Sequence, residues 1–302
     1  MSRDWESVFQ SWSGPSSSTE TTRCENAEKM IKDAIQADDE LAKRNIRVFA
    51  QGSYRNNTNV RQESDVDICV CFMDEFFPDF SSAKGFTKGD LGFSDGTYAY
   101  SAFKNDIERA LVAKFGRSGV TRGNKAFDVH ENSYRVDADV VPAFEHRRYT
   151  TQSYGGSYEY LSGIELKPDN GGRIINWPQQ HYDNGVRKNS ATSKRYKKIV
   201  RILKRLRNEM ASEGVESATP IPSFLIECLV WNTPNTGFGD ITLRADVRHV
   251  LAHTFNETMN DEKCHEWGEV SELKYLFRTF QAWSREQAHA FLAAAWDYVG
   301  FE

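Results

Sequence analysis

Cysteine is scarce in this chain, and the little there is builds no framework. Five cysteines in 302 residues, at positions 24, 69, 71, 228 and 264, are too few and too scattered to staple a fold. Cys69 and Cys71 sit two apart, but no second Cys or His pair follows at zinc-finger spacing. They read as reduced thiols buried on a strand. Long apolar runs are also missing. No stretch approaches the length that crosses a bilayer, and the opening residues 1–6 lack the apolar core of a signal peptide. Positive charge is not in surplus either: 38 Lys and Arg against 43 Asp and Glu give a formal net charge of -5. That balance argues against a protein that coats nucleic acid with its whole surface. The chain is expected to be soluble and cytoplasmic. What it does have in quantity excludes disorder, since 19 Phe, 12 Tyr and 7 Trp are enough for a sizeable core in one large or two modest domains.

The pattern along the chain changes character near its middle. A short amphipathic segment over 5–12 ends at Gly14-Pro15, and Ser16 to Glu20 reads as the capped entry to a long helix reaching about residue 45. Residues 46–50 and 66–72 are β-branched and alternating, as strands are. Residues 76–97 carry Gly85, Gly89, Gly92 and Gly96 without a sustained period and read as a mobile insertion near the site. A helix is expected over 98–116, strands over 126–129 and 134–144, and a hairpin at Asp169-Asn170-Gly171-Gly172. From about His181 the pattern is mostly helical, with candidate helices over 192–212, 222–232, 240–259 and 285–299. Strands early and helices late point to an α+β core over 1–180 followed by a helical domain over 181–302. No internal repeat is present.

The chemistry lies in three short stretches. Gln51-Gly52-Ser53-Tyr54-Arg55-Asn56-Asn57-Thr58 places a Gly-Ser loop just before Ser64-Asp65-Val66-Asp67-Ile68, and Arg135-Val136-Asp137-Ala138-Asp139-Val140-Val141-Pro142 follows downstream. On a strand, Asp65 and Asp67 share a face while Val66 and Ile68 turn inward. Two carboxylates that close repel unless a cation neutralises them. Magnesium prefers hard oxygen ligands and commonly combines carboxylates with substrate phosphates. A pair of such ions, about 4 Å apart, can activate an attacking hydroxyl and stabilise leaving pyrophosphate. Asp139 is the preferred third acid, with Asp137 on the same face as its competitor. Gly52 lets the backbone approach closely, and the loop amides with the Ser53 hydroxyl can bind triphosphate oxygens. An Asp-x-Asp or a Gly-Ser alone is ordinary turn material; their succession gives both a meaning. Ser64 is expected to brace the acidic turn and Thr58 the loop.

A second constellation is basic. Arg187, Lys188, Lys194, Arg195, Lys197, Lys198, Arg201, Lys204, Arg205 and Arg207 follow one another with no acid among them. Val200, Leu203, Leu206 and Met210 make the buried stripe of a helix there, and Lys197, Arg201, Lys204 and Arg205 lie on a neighbouring face. These cations form either a solvated face or the counter-charge for a triphosphate.

Together these motifs resemble the polymerase-beta-like nucleotidyltransferases, and the fuller pattern is similar to one branch of them. That branch holds cyclic GMP-AMP synthase, oligoadenylate synthase and the bacterial CD-NTases of anti-phage signalling. Asp139-Val140-Val141-Pro142-Ala143-Phe144 is similar to the third-acid strand of oligoadenylate synthases, which favours Asp139 over Asp137. The resemblance extends through Asn189-Ser190-Ala191-Thr192 and Val200 to Arg205, covering about residues 49–231. It implies a mixed-sheet catalytic core with a C-terminal helical domain and an active site in the cleft between them. It further implies that Lys204 and Ser223 hold the donor triphosphate and that Phe224 stacks on a base. Phe stands where a tyrosine is frequent, so stacking survives without a phenol hydrogen bond. No Cys/His cluster resembles the zinc module by which the animal enzyme engages DNA, so nucleic acid is not expected to be required.

The expectation is therefore a synthase making a cyclic di- or trinucleotide from ribonucleoside triphosphates with pyrophosphate release. Asp65, Asp67 and Asp139 bind two Mg2+ ions (or Mn2+), and Gly52, Ser53, Lys204, Ser223 and Phe224 bind nucleotide. A downstream effector protein and a regulatory protein are the partners implied by the resemblance. Transfer of a nucleotide to RNA, protein or a small molecule is the alternative activity. A nucleic-acid sensor or scaffold using the basic 187–207 face is the alternative of a different class.

Overall fold

A computed structural model describes residues 3–60, 65–83, 85, 87–154 and 157–302. The chain forms two compact units, and neither is a continuous stretch. The sheet unit is Ser17–Tyr54 with Ser64–Pro178; the helical unit is Met1–Ser16, Arg55–Glu63 and Gln179–Glu302.

In the sheet unit, Ser17 caps α2 (Ser18–Ala37) by accepting from the Glu20 amide. The helix ends well short of residue 45, because Asp38 turns extended and its carboxylate accepts from the Glu40 and Leu41 amides. Then follow β1 (Ile46–Ala50), the single turn α3 (Gly52–Arg55), β2 (Val66–Asp79), α4 (Tyr100–Phe115), β3 (Val120–Arg122), β4 (Phe127–Val129), β5 (Ala138–Tyr154), β6 (Ser157–Leu166) and β7 (Ile174–Asn176). The sheet runs β1-β2-β5-β4-β3, with β6 on β5 and β7 on β6. Among the described residues the β2–β5 pairing is parallel and the rest are antiparallel. Val66, Ile68, Val70 and Phe72 face a core shared with α2 and α4, including Ile31, Ile35, Phe103 and Ile107. Cys69 and Cys71 pack on the opposite face with Ala143 and Ile164. All five cysteines are free and buried.

Two strands exceed their sequence-based limits. Residues 76–79, expected in the insertion, continue β2 after an irregularity between Phe72 and Phe76. β5 continues past Phe144, and β6, which no pattern announced, pairs with it. The hairpin at Asp169 to Gly172 joins β6 to β7, as its glycines suggest: both have positive φ.

The helical unit consists of α1 (Trp5–Trp12), α5 (Pro178–Ala191), α6 (Tyr196–Ser212), α7 (Ser223–Trp231), α8 (Leu243–Glu257), α9 (Asp261–Cys264) and α10 (Arg285–Val299). α6 starts at Tyr196 rather than residue 192, because Ser193 and Lys194 take positive φ. Val200, Leu203, Leu206 and Met210 are buried in a core that also takes Trp5 and Phe9 of α1. Ser284 and Gln287 form a reciprocal capping box on α10, which closes at left-handed Gly300.

Candidate active site

The parallel pairing of β2 with β5 puts Asp67 opposite Asp139, and the antiparallel pairing of β4 with β5 puts Asp128 opposite Asp139. In-register residues on neighbouring strands share a face, with strands about 4.8 Å apart. Asp67, Asp139 and Asp128 therefore form a row of carboxylates across three strands. Asp65 precedes the row by two residues, where the Val66 amide donates to the Asp137 carbonyl (3.1 Å). Asp137 does not join the row: its carboxylate accepts from the Glu131 amide at 2.5 Å.

At Asp65 and Asp139 burial and the neighbouring acids act in the same direction. Burial, then the charges of Asp137, Asp128 and Glu131, push the Asp65 carboxyl above the usual range. Burial, then Asp65, Asp128 and Asp137, do the same to Asp139. Uncompensated anions at close range need a cation. Among the described residues no three His, Cys, Asp or Glu side chains close into a ready-made metal cage. An open set of hard oxygen donors still suits Mg2+, which keeps several waters and completes its shell with substrate phosphates.

Gly52 is tied to the acids by space. Its φ is +64°, and a Cβ built there would lie 2.0 Å from Asp67 Oδ2. The Gln51 amide donates to the Asp67 carbonyl (2.8 Å), so the turn entering α3 is fastened to β2 at the acid itself. Ser53 is the second residue of α3 and half-buried. Thr58 is fully buried and donates to Glu227 Oε2 at 2.9 Å within the helical unit. Ser64 lies outside the described residues.

Lys204, Ser223 and Phe224 belong to the helical unit. Lys204 is 1 % exposed, with Nζ 3.6 Å from Glu227 Oε2. Ser223 opens α7 after Pro222, and Arg207 donates to its hydroxyl (2.6 Å). The Phe224 ring is half-buried between His181 (5.7 Å) and Trp283 (5.9 Å).

Glu227 is the group that sequence reasoning missed. It sits inside the apolar sequence of α7, where a lone acid gives no signal of its own. His181 Nε2 lies 2.9 Å from Oε1, while Thr58 and Lys204 address Oε2. Burial pushes this carboxyl up, but His181, then the Lys204 charge and the Thr58 hydroxyl, outweigh it and hold the carboxyl at about 2. Asp128 was also missed, although its place between Phe127 and Val129 is the alternation of a half-exposed strand.

The basic run is only partly a solvated face, with Arg187 and Lys194 exposed and Arg195, Lys198, Arg205 and Arg207 half-buried. Lys188, Lys197, Arg201 and Lys204 are buried. Lys188 donates to the Thr233 carbonyl (2.7 Å) and Asn235 Oδ1 (3.1 Å), and Arg201 to the Ser13 (2.8 Å) and Asn57 (2.6 Å) carbonyls. Arg195 pairs with Asp246 at 3.2 Å. Lys188, Lys197, Arg201 and Lys204 are thus turned into the helical unit.

A family described as the cGAS/DncV-like nucleotidyltransferase C-terminal helical domain matches residues 183–300, and one described as a nucleotidyltransferase domain matches residues 29–115. The chain is 48 % identical to a cyclic dipyrimidine nucleotide synthase CdnE of Legionella pneumophila, covering 99 % of both chains. It is 41 % identical to a protein of the same name from Cecembia lonarensis, covering 100 % of both. Among solved structures, the Elizabethkingia meningoseptica CdnE cyclic dinucleotide synthase with GTP and Apcpp is 34 % identical, with a TM-score of 0.80 over 98 % of this chain and 99 % of that one. The chain belongs to the CD-NTase family, the nucleotidyltransferases that synthesise cyclic oligonucleotides.

Proposed function

We propose that this protein joins two pyrimidine nucleoside triphosphates into a cyclic dinucleotide, releasing two pyrophosphates. The row formed by Asp67 and Asp139, with Asp65 beside it and Gly52-Ser53 against Asp67, is the observation that carries the nucleotidyl transfer. The pyrimidine assignment is supported by the names of the Legionella and Cecembia relatives.

Asp65, Asp67 and Asp139 hold two Mg2+ ions, or Mn2+ in their place, which when bound neutralise phosphate charge and acidify a ribose hydroxyl. The acceptor oxygen forms a bond to the donor α-phosphorus while the bond from that phosphorus to the β-phosphate bridging oxygen breaks. Pyrophosphate leaves with the electron pair, and the hydroxyl proton passes to solvent. A second transfer closes the ring.

Ser53, Lys204 and Ser223 bind phosphate oxygens, and Phe224 stacks on a base. The Lys204 ammonium is suited to this role: it is buried, and its 3.6 Å separation from Glu227 is longer than a hydrogen bond. Held by charge, it keeps three N–H donors available for a phosphate. Arg207 fixes the Ser223 hydroxyl at the start of α7.

The product acts in the bacterial cytoplasm on an effector protein, as part of defence against phage, and a regulatory protein controls the synthase. The family resemblance supports this reading, and no described helix is long and apolar enough to cross a membrane.

The test is incubation with UTP, CTP, ATP and GTP, singly and mixed, with Mg2+ or Mn2+, then phosphatase treatment and mass spectrometry. A phosphatase-resistant cyclic dipyrimidine dinucleotide, absent from Asp67→Asn, is the expected result. Cyclic products from purines alone would overturn the base assignment. Transfer only to an added RNA, protein or small molecule would overturn the synthase reading.

A further inference from the structure

Two lysines of α6 share an arrangement that packing does not explain. Lys197 and Lys204 lie seven residues apart and project from one face of the helix, with Arg201 between them. They are 9 % and 1 % exposed. Among the described residues neither ammonium donates a hydrogen bond, and Lys197 has no ion pair within 4 Å; its Nζ lies 5.7 Å from the Tyr182 ring. Six N–H donors on two buried cations are an expensive arrangement for a fold that binds nothing there.

The charge around them is unbalanced. Burial pushes the Lys197 amine down, Glu227 draws it back up, and Arg201 opposes that recovery. Glu227 thus acts on both lysines, but it is one carboxylate against three cations. The Arg201 guanidinium is committed to the Ser13 and Asn57 carbonyls. The Tyr182 ring also receives Arg55, at 5.0 Å. This corner of the helical unit therefore calls for an anion carrying more than one negative charge. The lysines are separated by roughly 10 Å along the helix axis, which suits an extended polyphosphate better than a single phosphate.

We propose that Lys197 is a second polyphosphate-binding cation of the helical unit, completing with Lys204 a subsite for the β- and γ-phosphates of a nucleoside triphosphate and for released pyrophosphate. The proposal rests on the reading of Lys204 as a donor-phosphate ligand. It assigns to Lys197 what the motif comparison gave to Lys204 alone.

The test uses the full chain and magnesium pyrophosphate as product inhibitor of NTP turnover. Lys197→Met keeps the apolar stem and removes the charge. It is expected to raise the pyrophosphate inhibition constant and the NTP KM each about tenfold, the effect of one charge-assisted hydrogen bond, with kcat changing less than KM. Lys197→Arg restores part of both, and Lys198→Met, altering the half-exposed neighbour, shifts neither. If Lys197→Met does not fold, Lys197→Gln is measured in its place. Unchanged constants in the Lys197 variants with raised ones in Lys204→Met would overturn this proposal and leave Lys204 as a phosphate ligand. Unchanged constants in both would remove phosphate binding from α6 altogether. A lowered melting temperature with an unchanged inhibition constant would make Lys197 structural only.

Discussion

The carboxylate of Asp67 occupies the space that a side chain at residue 52 would fill, with Oδ2 2.0 Å from the position of a Cβ. Gly52→Ala therefore pushes directly on the acid, and it also places a side chain at φ +64°, which L-residues resist at roughly 1 kcal/mol. We expect pyrophosphate release to fall at least a hundredfold while the melting temperature drops by only a few degrees. Retention of near-normal turnover would show that Asp67 works equally well in another rotamer.

Asp139 sits between Asp67 and Asp128, and burial together with the neighbouring acids Asp65, Asp128 and Asp137 disfavours its charged form. Asp139→Asn removes one charge from that row and keeps its shape. In metal-free buffer the variant is expected to melt about 2 °C or more above the unaltered protein. The stabilisation that Mg2+ gives the unaltered protein should shrink in the variant, and activity should be lost. Thermal melts with and without Mg2+ check all three. A lower melting temperature without metal would contradict the repulsion argument.

Glu227 gives the fold an acid-sensitive point. Its carboxyl is depressed from 4.5 to about 2, so folding favours the ionised form. That contribution is complete above about 4.5, diminishes as pH falls from there towards 2, and is gone below. The groups facing it are His181, Lys204, Thr58 and, at longer range, Lys197. Glu227→Gln is expected to cost about 3–5 kcal/mol at neutral pH by leaving buried cations uncompensated. It should also flatten the loss of stability between pH 4.5 and 2, read by urea denaturation across that range. A variant with the same acid limb as the unaltered protein would place the sensitivity elsewhere.

Burial of Lys188, Lys197, Arg201 and Lys204 takes four of the ten cations of the 187–207 run away from a phosphate backbone. Duplex DNA and RNA are expected neither to stimulate product formation nor to bind with a steep salt dependence. Filter binding at two salt concentrations decides this, and tight binding lost on Lys198→Glu would reinstate a nucleic-acid role.

The acids and the Gly-Ser turn were legible because strand alternation places side chains without help from the rest of the fold. Register was not legible: that Asp139 faces Asp67 while Asp137 turns to the Glu131 amide depends on how two distant strands align. Pro78 and the glycines after it hid the end of β2, since proline is unusual inside a sheet. β6 was hidden by Gly163 and Glu165. The glycine makes room for Trp177, whose ring would meet a Cβ at 2.7 Å, and the acid is buried against His146 at 2.9 Å. The basic run stayed open between a solvated face and a triphosphate counter-charge for the same reason Glu227 was overlooked. Whether a charge on a helix faces water or a buried partner is decided by other segments, here Ser13, Asn57 and Thr58.

The chain passes between its two units after residues 16, 54, 63 and 178. A fragment beginning at residue 179 would carry α6 to α10 and all of α5 but Pro178, yet lack Trp5 and Phe9, which fill its core, and Thr58, which serves its buried acid. Recombination between relatives thus cannot exchange the helical unit as one cassette. A working chimaera must inherit three separated pieces together, so the two units are expected to share one ancestry along the gene.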